Sequence, residues 1–138
     1  MYVRTATPDD ALEVRRILDG AMLDPGDVEA RIDADDVLVA GDHRGGSGGV
    51  DGTSERILGA LVLEPRECGA HVSAISVRRR HRGRGIGRTL VERALERECR
   101  LTARFDDGVR PFYETLGFAI EPIDDQRHRG VVVAGKES

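Results

Sequence analysis

The chain is nearly without lysine: of its 21 basic residues only Lys136 is one, and no lysine lies near any glycine-rich turn, which excludes the phosphate loop GxxxxGK[ST]. Cysteine is scarce. Cys68 and Cys99 form no CxxC pair and no disulfide framework, so they read as reduced intracellular thiols. The four histidines, His43, His71, His81 and His128, show no metal-ligand spacing, and no metal is expected. No apolar run approaches the length of a membrane span, and the opening MYVRTATPDD lacks the apolar core of a signal peptide; no membrane partner and a cytoplasmic location are expected. A formal net charge of -4 argues against a general nucleic-acid binder, which usually carries a basic domain.

What the chain does have is concentrated. The stretch VRRRHRGRGIGRTL, Val77 to Leu90, gathers six arginines with three glycines and a histidine, a local anion site in an acidic protein. No aromatic residue lies among those arginines to stack on bases, so contact with nucleic acid ranks last among the readings.

The length of 138 residues suits one domain, 1–138. YVRTA (2–6) predicts a strand, and Thr7, Pro8 and Asp10 predict the start of a helix running to about Asp19. Its apolar positions are Ala11, Val14, Leu18 and Met22, and Gly20 or the turn Asp24-Pro25-Gly26 ends it. A short second helix is expected over 26–33. VLVA (37–40) and ILGALVL (57–63) predict a hairpin whose long Gly-rich tip is a flexible connection. A strand at 70–77 enters the arginine-glycine turn and then a helix over 85–100. On it Ile86, Leu90, Val91, Ala94, Leu95 and Cys99 make one apolar face, which puts Cys99 in the core. A strand at 101–105, a short helix on PFYETL, and strands FAIEPI and GVVVA complete an α/β (α+β) order without internal repeats.

A strand that runs into a glycine-rich turn and then a helix aims several N–H groups and the positive end of the helix dipole at one point. Gly83, Gly85 and Gly87 leave the main chain open to a pyrophosphate, and Arg82, Arg84 and Arg88 add charge-assisted bonds. The dinucleotide fingerprint GxGxxG fails in both frames, because Arg88 or Leu90 stands where the last glycine is required.

Arg82-Gly83-Arg84-Gly85-Ile86-Gly87 resembles the R/Q-x-x-G-x-G/A acetyl-CoA signature of the GNAT-type N-acetyltransferases, and Pro111 to Phe118, PFYETLGF, resembles their second signature, FYxxxGF. The motifs occur in the family's order, and the element order is similar over essentially the whole chain. The resemblance implies the GNAT acyl-CoA N-acyltransferase fold, a mixed central sheet of about six to seven strands flanked by about four helices. It also implies acetyl-CoA as cosubstrate and transfer to a primary amine of a small molecule or protein.

Carried onto these residues, the resemblance implies that the backbone of Ile75, Ser76 and Val77 pairs with the pantetheine arm, with the Val77 N–H facing the developing oxyanion. The N–H groups of Arg82, Gly83, Arg84, Gly85, Ile86, Gly87 and Arg88 would hold the pyrophosphate. Arg78, Arg79 and Arg80 are either a site for the 3′-phosphate or a solvated edge. Tyr113, with an ordinary phenol pKa near 10, is the expected general acid toward the departing thiolate. The strand before the turn lacks the glutamate that many relatives carry; Glu64 and His71 are the candidates for a base, beside a water relay. Asp106 stands where relatives often have a CoA-contacting asparagine. The acceptor is expected near Asp19, Asp24, Asp27, Asp124 and Asp125, carboxylates that read first as plain surface. The alternative is a non-catalytic acyl-CoA-binding module of the same fold, and a homodimer through the last strands is open.

Overall fold

The computed structural model describes residues 2–20, 27–43, 55–67 and 69–134. Met22, the turn at 24–26, the Gly-rich tip at 44–54, Cys68 and Lys136 lie outside the described residues. The elements are β1 (Tyr2–Thr5), α1 (Ala11–Gly20), α2 (Val28–Asp33), β2 (Val37–His43), β3 (Glu55–Arg66), β4 (Gly69–Val77), α3 (Ile86–Glu98), β5 (Arg100–Asp106), α4 (Arg110–Thr115), β6 (Ala119–Pro122) and β7 (Arg127–Val133). The order is the expected one, with a mixed seven-stranded sheet and four α-helices among the described residues.

Local chemistry sets the boundaries. Pro8–Asp10 forms a 3-10 turn before α1, and the Asp10 carboxylate accepts the Thr7 N–H at 2.7 Å and faces Arg4 at 2.7 Å. Burial opposes ionisation of Asp10, but Arg4 and the Thr7 N–H outweigh it and hold the carboxyl below its ordinary range. Asp27 caps α2, accepting from the Ala30 N–H at 3.1 Å.

The sheet runs β1-β2-β3-β4-β5-β7-β6. Among the described residues only β4 and β5 pair in parallel, the helix between them supplying the crossover. The last strand returns between β5 and β6, an insertion that the strand signals alone do not reveal. Each sheet face buries its own core. Val14, Ile17 and Leu18 of α1 and Val28 and Ile32 of α2 pack on Val37, Val39, Ala60, Val62 and Ala74. On the other face Ile86, Leu90, Val91 and Ala94 of α3 pack on Leu61, Leu63, Val72, Leu101 and Ala103. A fully buried side chain such as Leu90 contributes roughly 1.5–3 kcal/mol through lost contact with water.

Cys99 departs from expectation. The helix ends at Glu98, and Cys99 takes a left-handed conformation (φ 69°) as its C-cap, which turns the thiol off the apolar stripe and into solvent. Periodicity carried one residue too far placed it in the core.

Candidate functional site

The parallel ladder between β4 and β5 is short. Ala70, His71 and Val72 pair with Leu101, Thr102 and Ala103, and beyond them the strands separate. The register of β4 against β3 shifts at the same place: Val62 faces Ala74 while Leu63 faces Val72, which leaves Ser73 as an extra residue. The shift turns the strand over. Ala70 and Val72 belong to the α3 core, whereas past Ser73 it is Ala74 that joins the α1 core and Ile75 and Val77 that lean toward α3.

Backbone alternation then fixes the edge of the gap. Arg78 donates its N–H to the Leu58 carbonyl at 2.8 Å. In an antiparallel ladder alternate residues bond to the same neighbour, so Ser76 and Ala74 face β3 while Ile75 and Val77 turn their N–H groups toward the gap.

The gap opens on the α3 face into a cleft of about 770 Å³. Among its lining residues are Ile75, Ser76, Val77, Arg82, Gly83, Gly85, Ile86, Gly87, Arg88 and Tyr113, so every residue expected to hold the cosubstrate but Arg84 comes together there with Tyr113. The Arg84 guanidinium lies 3.4 Å from His81 Nδ1. The two base candidates, Glu64 and His71, lie outside the cleft.

The three glycines do different work. Gly83 (φ 81°) and Gly85 (φ 82°) occupy the left-handed region, and a Cβ on either would meet nothing within 4 Å; backbone conformation, not crowding, requires them. At Gly87 a Cβ would meet the Phe112 ring at 3.2 Å, so here the missing side chain also lets α3 and α4 approach beside the cleft that Gly87 lines. The arginines also divide. Arg78 donates Nε–H to the Ile57 carbonyl at 2.8 Å and pairs with Glu13 of α1, which takes it out of the anion cluster. Arg82 donates Nε–H to the Val77 carbonyl at 3.0 Å and folds the turn back onto β4. Arg79 and Arg80 are exposed.

The far wall is aromatic. Tyr113 stacks on Phe105 (centroids 4.2 Å apart) and meets Phe112 and Phe118 edge-on at 5.0 Å each. It is 4% exposed, and burial pushes its phenol up to about 12, above the ordinary value expected from sequence. The hydroxyl therefore stays protonated through the physiological range. Phe105, Asp106, Val109 and Phe112 also line the cleft; the resemblance marks Asp106 and Phe112, whereas Phe105 and Val109 carry no signal beyond their place at and just after the end of the split strand.

On the opposite face lies a second depression of about 430 Å³, lined by Glu64, Arg66, His71, Thr102, Arg104 and Arg129 and sharing Ser73 and Arg104 with the cleft. Glu64 is bound to Arg66 at 2.8 Å and lies 3.8 Å from Arg31; the hydrogen bond from Arg66 is the main cause that holds its carboxyl low, the wrong direction for a base. His71, with Nδ1 2.8 Å from Thr102 Oγ1, is half-buried, and desolvation followed by the charge of Arg66 lowers its pKa. A neutral imidazole results.

Among the described residues, the carboxylates named beside the acceptor stand exposed or serve local caps and turns, as the plain-surface reading has them. Asp27 is the cap of α2, Asp124 accepts from Gln126 N–H at 2.8 Å and Arg127 N–H at 2.9 Å to close the β6–β7 turn, and Asp24 lies outside the described residues. Asp19, Asp124 and Asp125 are exposed.

A family model described as an acetyltransferase (GNAT) domain matches residues 33–120. Among solved structures, Rv2747 from Mycobacterium tuberculosis in complex with CoA and NLQ is 16% identical with a TM-score of 0.73, the match covering 96% of this chain and 99% of that one. The structure of yncA from Salmonella typhimurium with its cofactor acetyl-CoA is 16% identical (TM-score 0.69; 100% and 96% covered). The ribosomal-protein-alanine N-acetyltransferase from Brucella melitensis is 21% identical (TM-score 0.66; 96% and 99% covered). No curated protein matches the chain. No helix among the described residues is long and apolar enough to cross a membrane.

Proposed function

Because the chain belongs to the GNAT acetyltransferase family and is thus an acyltransferase, we propose that it moves the acetyl group of acetyl-CoA to a primary amine by direct attack on the thioester. The observation that carries this reading is the split between β4 and β5, open to both faces of the sheet at Ser73. Similar proteins are crystallised with CoA or acetyl-CoA, and the cleft suits that cosubstrate. N–H groups of Ile75 and Val77 face the gap as a strand edge for an amide-bearing arm. The left-handed glycines at 83 and 85 bend the turn so that main-chain N–H groups ahead of α3 meet phosphate oxygens.

The amine nitrogen forms its bond to the acetyl carbon, the C–S bond breaks, and the ammonium proton passes to a base. His71 is the better base, since its neutral imidazole offers a lone pair for an amine's proton, whereas the hydrogen bond from Arg66 holds the Glu64 carboxyl low and weakens it as a base. Tyr113 lies on the sulfur side. A phenol near 12 does not readily hand its proton to a thiolate whose acid has a pKa of about 8.5, so Tyr113 contributes the hydrogen bond that strengthens as charge collects on sulfur. The thiolate then takes its proton from solvent. An N–H of Val77 or Ile75 supports the carbonyl oxygen as it becomes negative.

Calorimetric titration with acetyl-CoA tests the reading, with NAD as control. Micromolar binding is expected, weakened about tenfold or more by Gly85→Val, since a β-branched residue resists the left-handed conformation. Absence of binding to acetyl-CoA and CoA alike would remove the reading.

A further inference from the structure

The depression on the face opposite the cleft sets three guanidinium groups, of Arg66, Arg104 and Arg129, around Ser73, His71 and Thr102. Arg104 of β5 and Arg129 of β7 are direct cross-strand partners. Like charges directly opposite one another destabilise a sheet, so the arrangement costs stability unless an anion lies between them. Neighbouring carboxylates compensate only in part. Glu64 is engaged by Arg66 and Arg31, and Glu121, across from Arg129 on β6, pairs with Arg129. Among the described residues Arg104 has no ion-pair partner, and its side chain stands on the wall that depression and cleft share. This positive basin occurs in a chain whose net charge is -4.

We propose that the acetyl acceptor is a small amine bearing its own anionic group, a carboxylate or phosphate, which seats between Arg104 and Arg129 while the amine points along the basin to Ser73 and His71. Resting on the acetyl-transfer reading, this inference adds the acceptor's charge. The planar guanidinium fork matches both anions in two-point hydrogen bonding. The neutral imidazole of His71 at the inner end is placed to take a proton from nitrogen and does not repel an arriving ammonium as a charged ring would. A volume of about 430 Å³ suits a small molecule.

The test measures acetyl transfer to α-amino acids, their α-amides, the corresponding decarboxylated amines, phosphoethanolamine, spermidine and short peptides, together with calorimetric binding of the same compounds to the protein saturated with CoA. Anion-bearing small amines should be the preferred acceptors, and the better of the amino acids and phosphoethanolamine identifies the anion. Arg104→Gln should raise KM for that acceptor at least tenfold, measured at saturating acetyl-CoA, and leave the melting temperature unchanged or higher as the opposed charges are relieved. Arg104→Lys should recover only part of the loss. Preference for spermidine, the amides or peptides overturns the inference, as does failure of every anion-bearing amine to bind or react, or an Arg104→Gln protein with unchanged KM. Failure of acetyl-CoA itself to bind is a different result and strikes the acetyl-transfer reading instead.

Discussion

The cleft on the α3 face and the basin on the opposite face meet at Ser73 and Arg104, yet they are built in contrasting ways. The cleft draws on one continuous stretch, the end of β4, the glycine turn and the start of α3, closed by a block of aromatics from β5 and α4. The basin takes two polar side chains each from β3, β4 and β5 and one from β7, brought together only by the sheet order. Contiguity lets a site be written as a motif; assembly across strands leaves no local trace. The contrast also divides the chemistry, with backbone N–H groups and rings on one side and titratable side chains on the other.

The largest expected effect tests the cleft side. Tyr113→Phe removes one hydroxyl while keeping the stack on Phe105; it should lower kcat by roughly tenfold to a hundredfold while the Kd of acetyl-CoA and the melting temperature stay near those of the parent. An unchanged kcat would leave Tyr113 as a core aromatic and strip the cleft of its chemical role.

The basin side is next. His71 ionises below its ordinary pKa, mainly through burial, so kcat/KM should rise with pH along an acid limb whose midpoint falls below about 6.5 and should be flat in that group by neutral pH. The sign follows from the base role: protonation at low pH removes the acceptor of the amine's proton. His71→Asn should lower kcat by about tenfold and erase this limb, while the alkaline dependence due to the amine remains. A limb that survives the substitution would assign the base elsewhere.

The smallest effect lies at the far end of α3 and serves as a control on both sides. Cys99→Gly places glycine in a left-handed cap (φ 69°) with no buried side chain lost, and should stabilise the protein by up to about 1 kcal/mol in thermal melts without altering acetyl-CoA binding or turnover. Lost stability would return the thiol to the core.

These tests follow the line between what the sequence made legible and what it did not. Element order and the glycine turn were legible because short-range periodicity and turn chemistry announce them, and Tyr113 was marked by the resemblance of PFYETLGF to a family signature. Three features were not. The extra residue at Ser73 hides within an unbroken buried-exposed alternation along β4, although the apolar choices slip from Ala70 and Val72 to Ile75 and Val77. The pairing of Arg104 with Arg129 depends on β7 entering between β5 and β6, a long-range outcome. The loss of Arg78 to Glu13 and the Ile57 carbonyl likewise depends on where α1 comes to rest, so counting arginines overstated the anion site by at least one.

The short β4–β5 ladder carries a mechanical consequence. On one side β4 is paired with β3 along its length and braced to α1 by Arg78; on the other, β5 is paired with β7 over seven residues and carries Phe105, on which Tyr113 is stacked. The two halves of the sheet are thus leaves whose direct strand pairing is a three-residue hinge, with α3 packed across both. Any widening to admit a bulkier acyl chain would be a swing of the second leaf, carrying Tyr113, Arg104 and Arg129 together. In the proposed reaction a single angle would then set how a thioester held along the first leaf is aligned with the side chains carried by the second.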